Sequence, residues 1–182
     1  MRLEILIYPN PLLKTKAAPV KAVDSEIKKI IDNMLETMRA SGGIGLAATQ
    51  VGIGKRIVVM EVPEFTEGDD DEEEREPKKK TLFKLVNPEI VLFEGEQKYE
   101  EGCLSVPGVI EEVKRAAKVI VRAIDENGKA IGINAEGLLA VALQHEIDHL
   151  DGILFIDRLS RLKREFVVRR YKREMASIET AL

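Results

Sequence analysis

The only two histidines of this 182-residue chain stand four positions apart in QHEIDHLDG, residues 144–152. Residues i and i+4 share one face of an α-helix, so His145 and His149 can turn their imidazoles toward one point if this stretch is helical. The surroundings agree: GLLAVALQHEIDH, 137–149, lacks proline and is rich in Ala and Leu, and Gly152 is placed to stop a helix just beyond it. The spacing thus predicts a central buried helix around which the rest of the chain must be built.

H-E-x-x-H on a helix is a two-ligand metal clamp with a carboxylate, Glu146, beside it in the position of a general base. Two imidazoles hold a divalent ion only modestly, and no further histidine follows His149. The soft candidate for a third ligand is Cys103, in YEEGCLSVPG, the chain's single cysteine. A lone thiol has no internal disulfide partner, and its other common use is as a small buried hydrophobe. One Cys and two His leave a fourth coordination position for water or substrate, which distinguishes catalytic from structural sites. Such ligands accept zinc, iron, nickel or cobalt, so one divalent metal is expected without its identity being legible.

Around this helix the pattern predicts antiparallel β-structure. Ile27, Ile30, Ile31, Leu35 and Met38 recur at helical spacing between Asp24 and Ala40, with Asp24 or Ser25 as the N-cap. SGGIGLAATQVGIG, 41–54, has five glycines and reads as a shaped loop. Strands are predicted at RIVVMEV (56–62), LFKLV (82–86) and IVLFE (90–94), with Asn87 and Pro88 between the last two. AKVIVRAID and AIGINA flank Asn127-Gly128 and read as a hairpin. TEGDDDEEEREPKKK, 66–80, carries eight acids and then three lysines with no apolar residue, and a flexible acidic loop is expected over 63–80. The last helix, expected over 158–180, shows Leu162 and Phe166 as an apolar side and Arg169 and Arg170 as a basic one.

A hydrophobic content of 45% suits one domain over residues 1–182, and no internal repeat suggests a solenoid. The formal charge of -4 argues against a general nucleic-acid binder, so no DNA partner is expected. No apolar run approaches the roughly 20 residues that span a bilayer. MRLEILIYPNP is too short in its apolar part for a signal peptide, and a cytoplasmic protein with no membrane partner is expected.

GIGLAATQ (43–50), EGCLS (101–105) and QHEIDH (144–149), in this order and at these separations, resemble the three signature motifs of bacterial peptide deformylases. The likeness runs from the first helix to the basic last one. It implies an α+β fold, with antiparallel sheets packed around the motif helix and a C-terminal helix. It implies Cys103, His145 and His149 as ligands of a metal, ferrous iron natively, and Glu146 as the catalytic acid and base. Gln50 and the backbone N–H of Leu104 would stabilise the oxyanion. The activity implied is removal of the formyl group from the N-terminal formylmethionine of nascent polypeptides. Gly43 and Gly45 would let the loop backbone approach the peptide and bond it as an added strand. The methionine side chain needs an apolar slot, which Ile44, Leu138, Val141 and Ala142 suit; the last three suit a core equally.

Two features depart from the family pattern. Many members carry an arginine or another polar residue seven positions after the motif cysteine, where it helps hold the substrate backbone; this chain has Ile110. The acidic segment is longer than a compact deformylase needs. At the C-terminus, Arg161, Lys163, Arg164, Arg169, Arg170, Lys172 and Arg173 face only Glu165 and Glu174, a patch able to reach phosphates. The resemblance implies a ribosome near its exit tunnel as the partner; a solvated helix face is the other reading.

Overall fold

The computed structural model describes residues 1–64 and 79–179. The first helix, α1 (Ser25–Ala40), begins where the Asp24 side chain accepts the Ile27 N–H at 2.9 Å. Its buried face is Ile27, Ile31, Met34, Leu35 and Met38, with Ile30 at the margin. Among the described residues seven strands follow: β1 (Gly45–Ala47), β2 (Ile57–Glu64), β3 (Lys79–Glu94), β4 (Gln97–Cys103), β5 (Val106–Arg115), β6 (Lys118–Ile124) and β7 (Ala130–Glu136). The motif helix is α2 (Gly137–Leu150), and α3 (Arg161–Glu179) ends the described chain.

All the strand pairs are antiparallel. One sheet has the order β1-β2-β3-β6-β7, and β4 with β5 forms a separate two-stranded ribbon. The predicted hairpin is present as β6–β7, its turn made by Gly128 at φ 83° and by Asp125, whose side chain accepts the N–H groups of Asn127 and Lys129. Two sides of the large sheet carry two cores. Leu46, Ile57, Val59 and Val86 meet α1, whereas Val58, Met60, Leu85, Val119 and Val121 meet Ala140, Leu143, Ile147 and Leu150 of α2. A third cluster joins Leu13, Val106, Val109, Val113, Phe155, Val167 and Tyr171, and so ties the ribbon to α3. The architecture is α+β, with antiparallel sheets around α2, as expected. No described helix is long and apolar enough to cross a membrane.

Four expectations need correction. The stretch 41–54 is not wholly loop: Gly45–Ala47 pairs with Val58, Val59 and Met60, and Ala48–Val51 is a 3-10 turn. A three-residue strand is too short to show a period; β2 supplies its ladder. The predicted strands at 82–86 and 90–94 are one strand, β3, with a register shift around Asn87 and Pro88. There Asn87 takes φ 52° and its side-chain amide bonds Val20 through both its oxygen and its nitrogen, so the bulge fastens the N-terminal segment instead of ending the strand.

Pro63, Glu64, Lys79 and Lys80 lie in β2 and β3, which narrows the expected acidic loop; its remainder, 65–78, lies outside the described residues. The last helix starts at Arg161, with Arg158 in a preceding 3-10 turn, and residue 180 is not described. Its buried stripe is Val167 and Tyr171, while Leu162 and Phe166 are 80% and 63% exposed. Both stripes repeat every four residues, so periodicity alone could not choose between them. The Tyr171 hydroxyl donates to the Tyr8 carbonyl at 3.1 Å and fixes the choice.

Candidate active site

Every residue of α2 from Ala140 to Leu150 is buried, including Gln144, His145, Glu146, Asp148 and His149. The i, i+4 relation brings the two Nε2 atoms of His145 and His149 to 3.2 Å, and the register shift after Glu101 in β4 delivers Cys103 Sγ to 3.2 Å from His149 Nε2. These three donor atoms lie within 4.8 Å of one another, and among the described residues no fourth His, Cys, Asp or Glu joins them. Ligands 2.0–2.3 Å from a shared tetrahedral ion stand about 3.3–3.6 Å apart, so the two 3.2 Å separations suit one ion. His149 Nδ1 and Glu146 Oε2 are buried without a hydrogen-bond partner.

Buried charge orients the imidazoles. Glu101 Oε2 lies 2.7 Å from His145 Nδ1, which turns Nε2 toward Cys103 and His149. Arg115 grips Glu101 with two bonds of 2.6 and 2.9 Å and reaches Asp148 at 2.6 Å; Arg158 also bonds Asp148, at 2.5 and 3.0 Å. Burial alone would raise the Glu101 pKa, but the bonds and charges of Arg115 and His145 outweigh it and lower it to about 2. Burial likewise opposes a charged His145, yet Cys103 and Glu101 hold its pKa well above the usual imidazole value. His149 has no such carboxylate, and burial together with repulsion from His145 holds its pKa well below that value. Thr49 fastens the end of the helix by donating to the His149 carbonyl at 3.0 Å.

Glu146 is turned toward β1. Burial raises its pKa to about 7. It packs directly on Gly45, where an added Cβ would stand 2.7 Å from Glu146 Cδ. Gln50 accepts the Ala47 N–H at 2.8 Å through Oε1, which turns its Nε2 toward Ser105 Oγ at 3.1 Å and Cys103 Sγ at 3.5 Å. Leu104 follows Cys103, with its side chain against Gly43.

Gln50, Glu101, Cys103, Leu104, His145 and Glu146 line one cleft of about 480 Å³, together with Gly43 and Gly45. One wall is the segment Gly42–Gly45, and the facing wall is the β4–β5 ribbon with Gly102 and Ile110. The floor is Leu138, Val141 and Ala142 of α2. Ile44 lies in the first wall, so every residue expected at the site borders the cleft except His149, which stands behind it at the clamp. The Glu61 N–H bonds the Ile44 carbonyl on the β2 side. By antiparallel alternation, the N–H and C=O of Gly45 therefore point off the free edge of the sheet. A second cavity of similar volume lies behind α2, bordered by Arg56, Glu89, Phe93, Arg115 and Arg158; it contains neither Cys103 nor an imidazole.

Residues 2–165 match the family model described as polypeptide deformylase. The chain belongs to the peptide deformylase family. Curated relatives agree: the peptide deformylase of Thermodesulfovibrio yellowstonii is 51% identical over 93% of this chain and 96% of its own length. That of Alkalilimnicola ehrlichii is 49% identical over 94% and 89%. Among solved structures, the peptide deformylase of Ehrlichia chaffeensis superposes with a TM-score of 0.86 at 41% identity, covering 97% of this chain and 98% of that one. A second structure of the Ehrlichia protein, in complex with actinonin, gives 0.83 at 41% identity over 95% and 97%. The chain is thus an enzyme of the peptide deformylase family.

Sequence reasoning assigned no role to Glu101, Arg115, Ser105 or Asp148. Glu101 stands two residues before Cys103, on the same side of a strand, and that alternation was the available signal. Nothing local marks Arg115, which meets Glu101 and Asp148 only through the ribbon and helix packing.

Proposed function

We propose that the chain is a metal-dependent deformylase which hydrolyses the formyl group of N-terminal formylmethionine on nascent polypeptides and releases formate, within one metallohydrolase domain. The observation that carries this reading is the convergence of one sulfur and two imidazole nitrogens beside a buried carboxylate oxygen that has no partner. Cys103, His145 and His149 would hold one divalent ion; the donor set suits Fe2+, the native ion proposed, and also Zn2+, Ni2+ or Co2+. When bound, such an ion supplies Lewis acidity toward a water and toward a carbonyl oxygen.

The protein's own groups do the rest. Glu146 accepts a proton from the attacking water as its oxygen bonds the formyl carbon, then hands that proton to the methionine nitrogen as the C–N bond breaks. Gln50 Nε2 and the Leu104 N–H donate to the oxygen on which charge develops; loss of one such donor costs about 3 kcal/mol in the barrier. Gly43 and Gly45 let the peptide lie along the free sheet edge as an added strand. Ile44, Leu138, Val141 and Ala142 take the methionine side chain. Actinonin, bound in the Ehrlichia chaffeensis structure, is expected to compete for this cleft.

The test is anaerobic purification followed by metal analysis and formate release on one preparation. Formyl-Met peptides should be cleaved, and acetylated or internal peptide bonds should not. Glu146→Gln should keep its metal and lose turnover; unaltered turnover would remove the assigned base.

The same reading places the protein in the cytoplasm and gives α3 a role at the ribosomal exit. Lys163 and Arg170 pair with Glu111, Arg164 with Asp157 and Arg161 with Glu165, leaving Arg169, Lys172 and Arg173 outside these pairs. Ribosome affinity that falls steeply with salt, and is lost on changing these three to Glu, supports docking; affinity indifferent to both removes it.

A further inference from the structure

Strand β3 is longer than either of its neighbours, and the two pair with different parts of it. β2 takes Lys79–Val86 on one edge, whereas β6 takes Val86 and then Glu89–Glu94 on the other. Each half of β3 therefore has one edge with no partner strand among the described residues. The first half is guarded by Lys79, Lys80 and Lys84, and lysine is a common means of keeping other strands off an open edge. The second half, EIVLFE from Glu89 to Glu94, has neither lysine nor proline. Its middle is apolar and open: Val91, Leu92 and Phe93 are 40%, 42% and 64% exposed. The register shift between Ile90 and Leu92 makes Val91 the extra residue of a bulge, which bends this edge without covering it.

The cavity behind α2 lies along the same half, bordered by Glu89, Ile90 and Phe93 of β3. Every cation that borders it is held in an ion pair within the chain: Arg56 with Asp151, Lys114 with Glu96, and Arg115 and Arg158 with Asp148. Glu89 and Glu94, at the two ends of the open edge, have no ion pair among the described residues. Lys118, across from Glu94, bonds Glu136 at 2.8 Å instead, and Arg122, across from Glu89, makes no ion pair with it. An extended segment laid along this edge gains backbone hydrogen bonds, covers Val91, Leu92 and Phe93, and meets a carboxylate at either end. A second copy of the chain brings the wrong charges. Paired with itself in register, parallel or antiparallel, the edge sets glutamate against glutamate at both ends.

We propose that Glu89–Glu94 is a docking edge that takes an extended segment of another protein as an added strand, a segment whose apolar residues lie between two lysines or arginines. The backbone ladder supplies affinity, and the two flanking cations fix the register. The edge lies outside the cleft, and its role is independent of the deformylase reading.

The test uses the full chain and two blocked peptides, acetyl-Lys-Val-Thr-Ile-Val-Lys-amide and the same peptide with glutamate in place of both lysines. The lysine peptide should bind saturably by calorimetry, roughly tenfold more tightly than the glutamate peptide, and should slow hydrogen exchange at the unpaired amides of residues 89–94. Methylating alternate backbone nitrogens of the lysine peptide should abolish its binding. Glu89→Lys together with Glu94→Lys should invert the preference between the two peptides. No saturable binding, equal binding of the two peptides, a preference that survives the double substitution, or slowed exchange confined to residues 42–45 of the cleft would each overturn the docking edge. A chain already dimeric by light scattering, with amides 89–94 protected, would show a second copy on this edge and overturn it too.

Discussion

Gly45→Ala tests the geometry of the proposed base without replacing any ionisable group. Gly45 sits in β1 and is not held at positive φ, so alanine can take its backbone conformation without strain. The obstacle is Glu146. An alanine Cβ would stand 2.7 Å from Cδ and 2.9 Å from Cγ, where ordinary contact begins at 3.4 Å, and it would meet Oε1 as well. The carboxyl carbon must therefore withdraw by about 0.7 Å, or β1 must move away from α2 by a similar distance. Such overpacking costs about 1–3 kcal/mol in stability. A displacement near 1 Å at a reacting group costs on the order of 100-fold in rate.

The expected outcome for Gly45→Ala is kcat for formate release lowered on the order of 100-fold, with metal content unchanged because Cys103, His145 and His149 are not disturbed. A double-mutant cycle isolates the cause: in a Glu146→Gln background the same alanine should lower the residual rate little further. Wild-type activity in the single variant would refute the reasoning. Losses that simply multiply in the double variant would refute the attribution to Glu146.

Other expectations follow from the supports of the site. Cys103→Ser replaces a soft thiolate with a hydroxyl; the protein should stay folded, and metal analysis after dialysis should find much less than one ion per chain. Arg115→Ala removes the guanidinium shared by Glu101 and Asp148, leaving Glu101 with His145 and Asp148 with Arg158; breaking a buried pair in this way destabilises by about 3–5 kcal/mol. Urea titration should show that loss, and a thermal scan a fall of about 10 °C. Metal affinity should drop by about 10–100-fold as Glu101 ceases to orient His145. An unmoved urea midpoint would mean that the network contributes nothing.

The helices and the hairpin were legible because their signals are local. Asp24 caps α1, Asn127-Gly128 turns β6 into β7, and the His145–His149 spacing needs only one turn of helix. What could not be read has long-range causes. β1 exists because β2 offers it a ladder, and β3 continues through Pro88 because Asn87 ties the bulge to Val20, 67 residues away. The buried side of α3 was misread because Leu162–Phe166 and Val167–Tyr171 have the same spacing, and the selecting partners, Leu13, Val109 and Tyr8, come from elsewhere in the chain. The clamp residues were legible as residue types, whereas Arg115 and Glu101 became visible as a support only once β4, β5 and α2 were packed together.

The burial of α2 explains why this support exists at all. Five polar side chains between Gln144 and His149 are no more than 9% exposed, a placement that is stable only if their polar atoms are bonded. Gln144 is satisfied by the backbone of Ala116 on both its oxygen and its nitrogen, Asp148 by Arg115 and Arg158, and His145 by Glu101. Against that background the exceptions stand out: Glu146, which lines the cleft, has a buried Oε2 with no partner, and His149 Nδ1 has none either. On the proposed deformylase reading, a fold that satisfies Gln144 and Asp148 so fully and leaves a Glu146 oxygen without a partner keeps that carboxylate ready for a proton from the attacking water. Burial both raises its proton affinity and prevents it from being neutralised by a fixed partner. The same helix thus obtains rigidity from its paired groups and reactivity from its unpaired one.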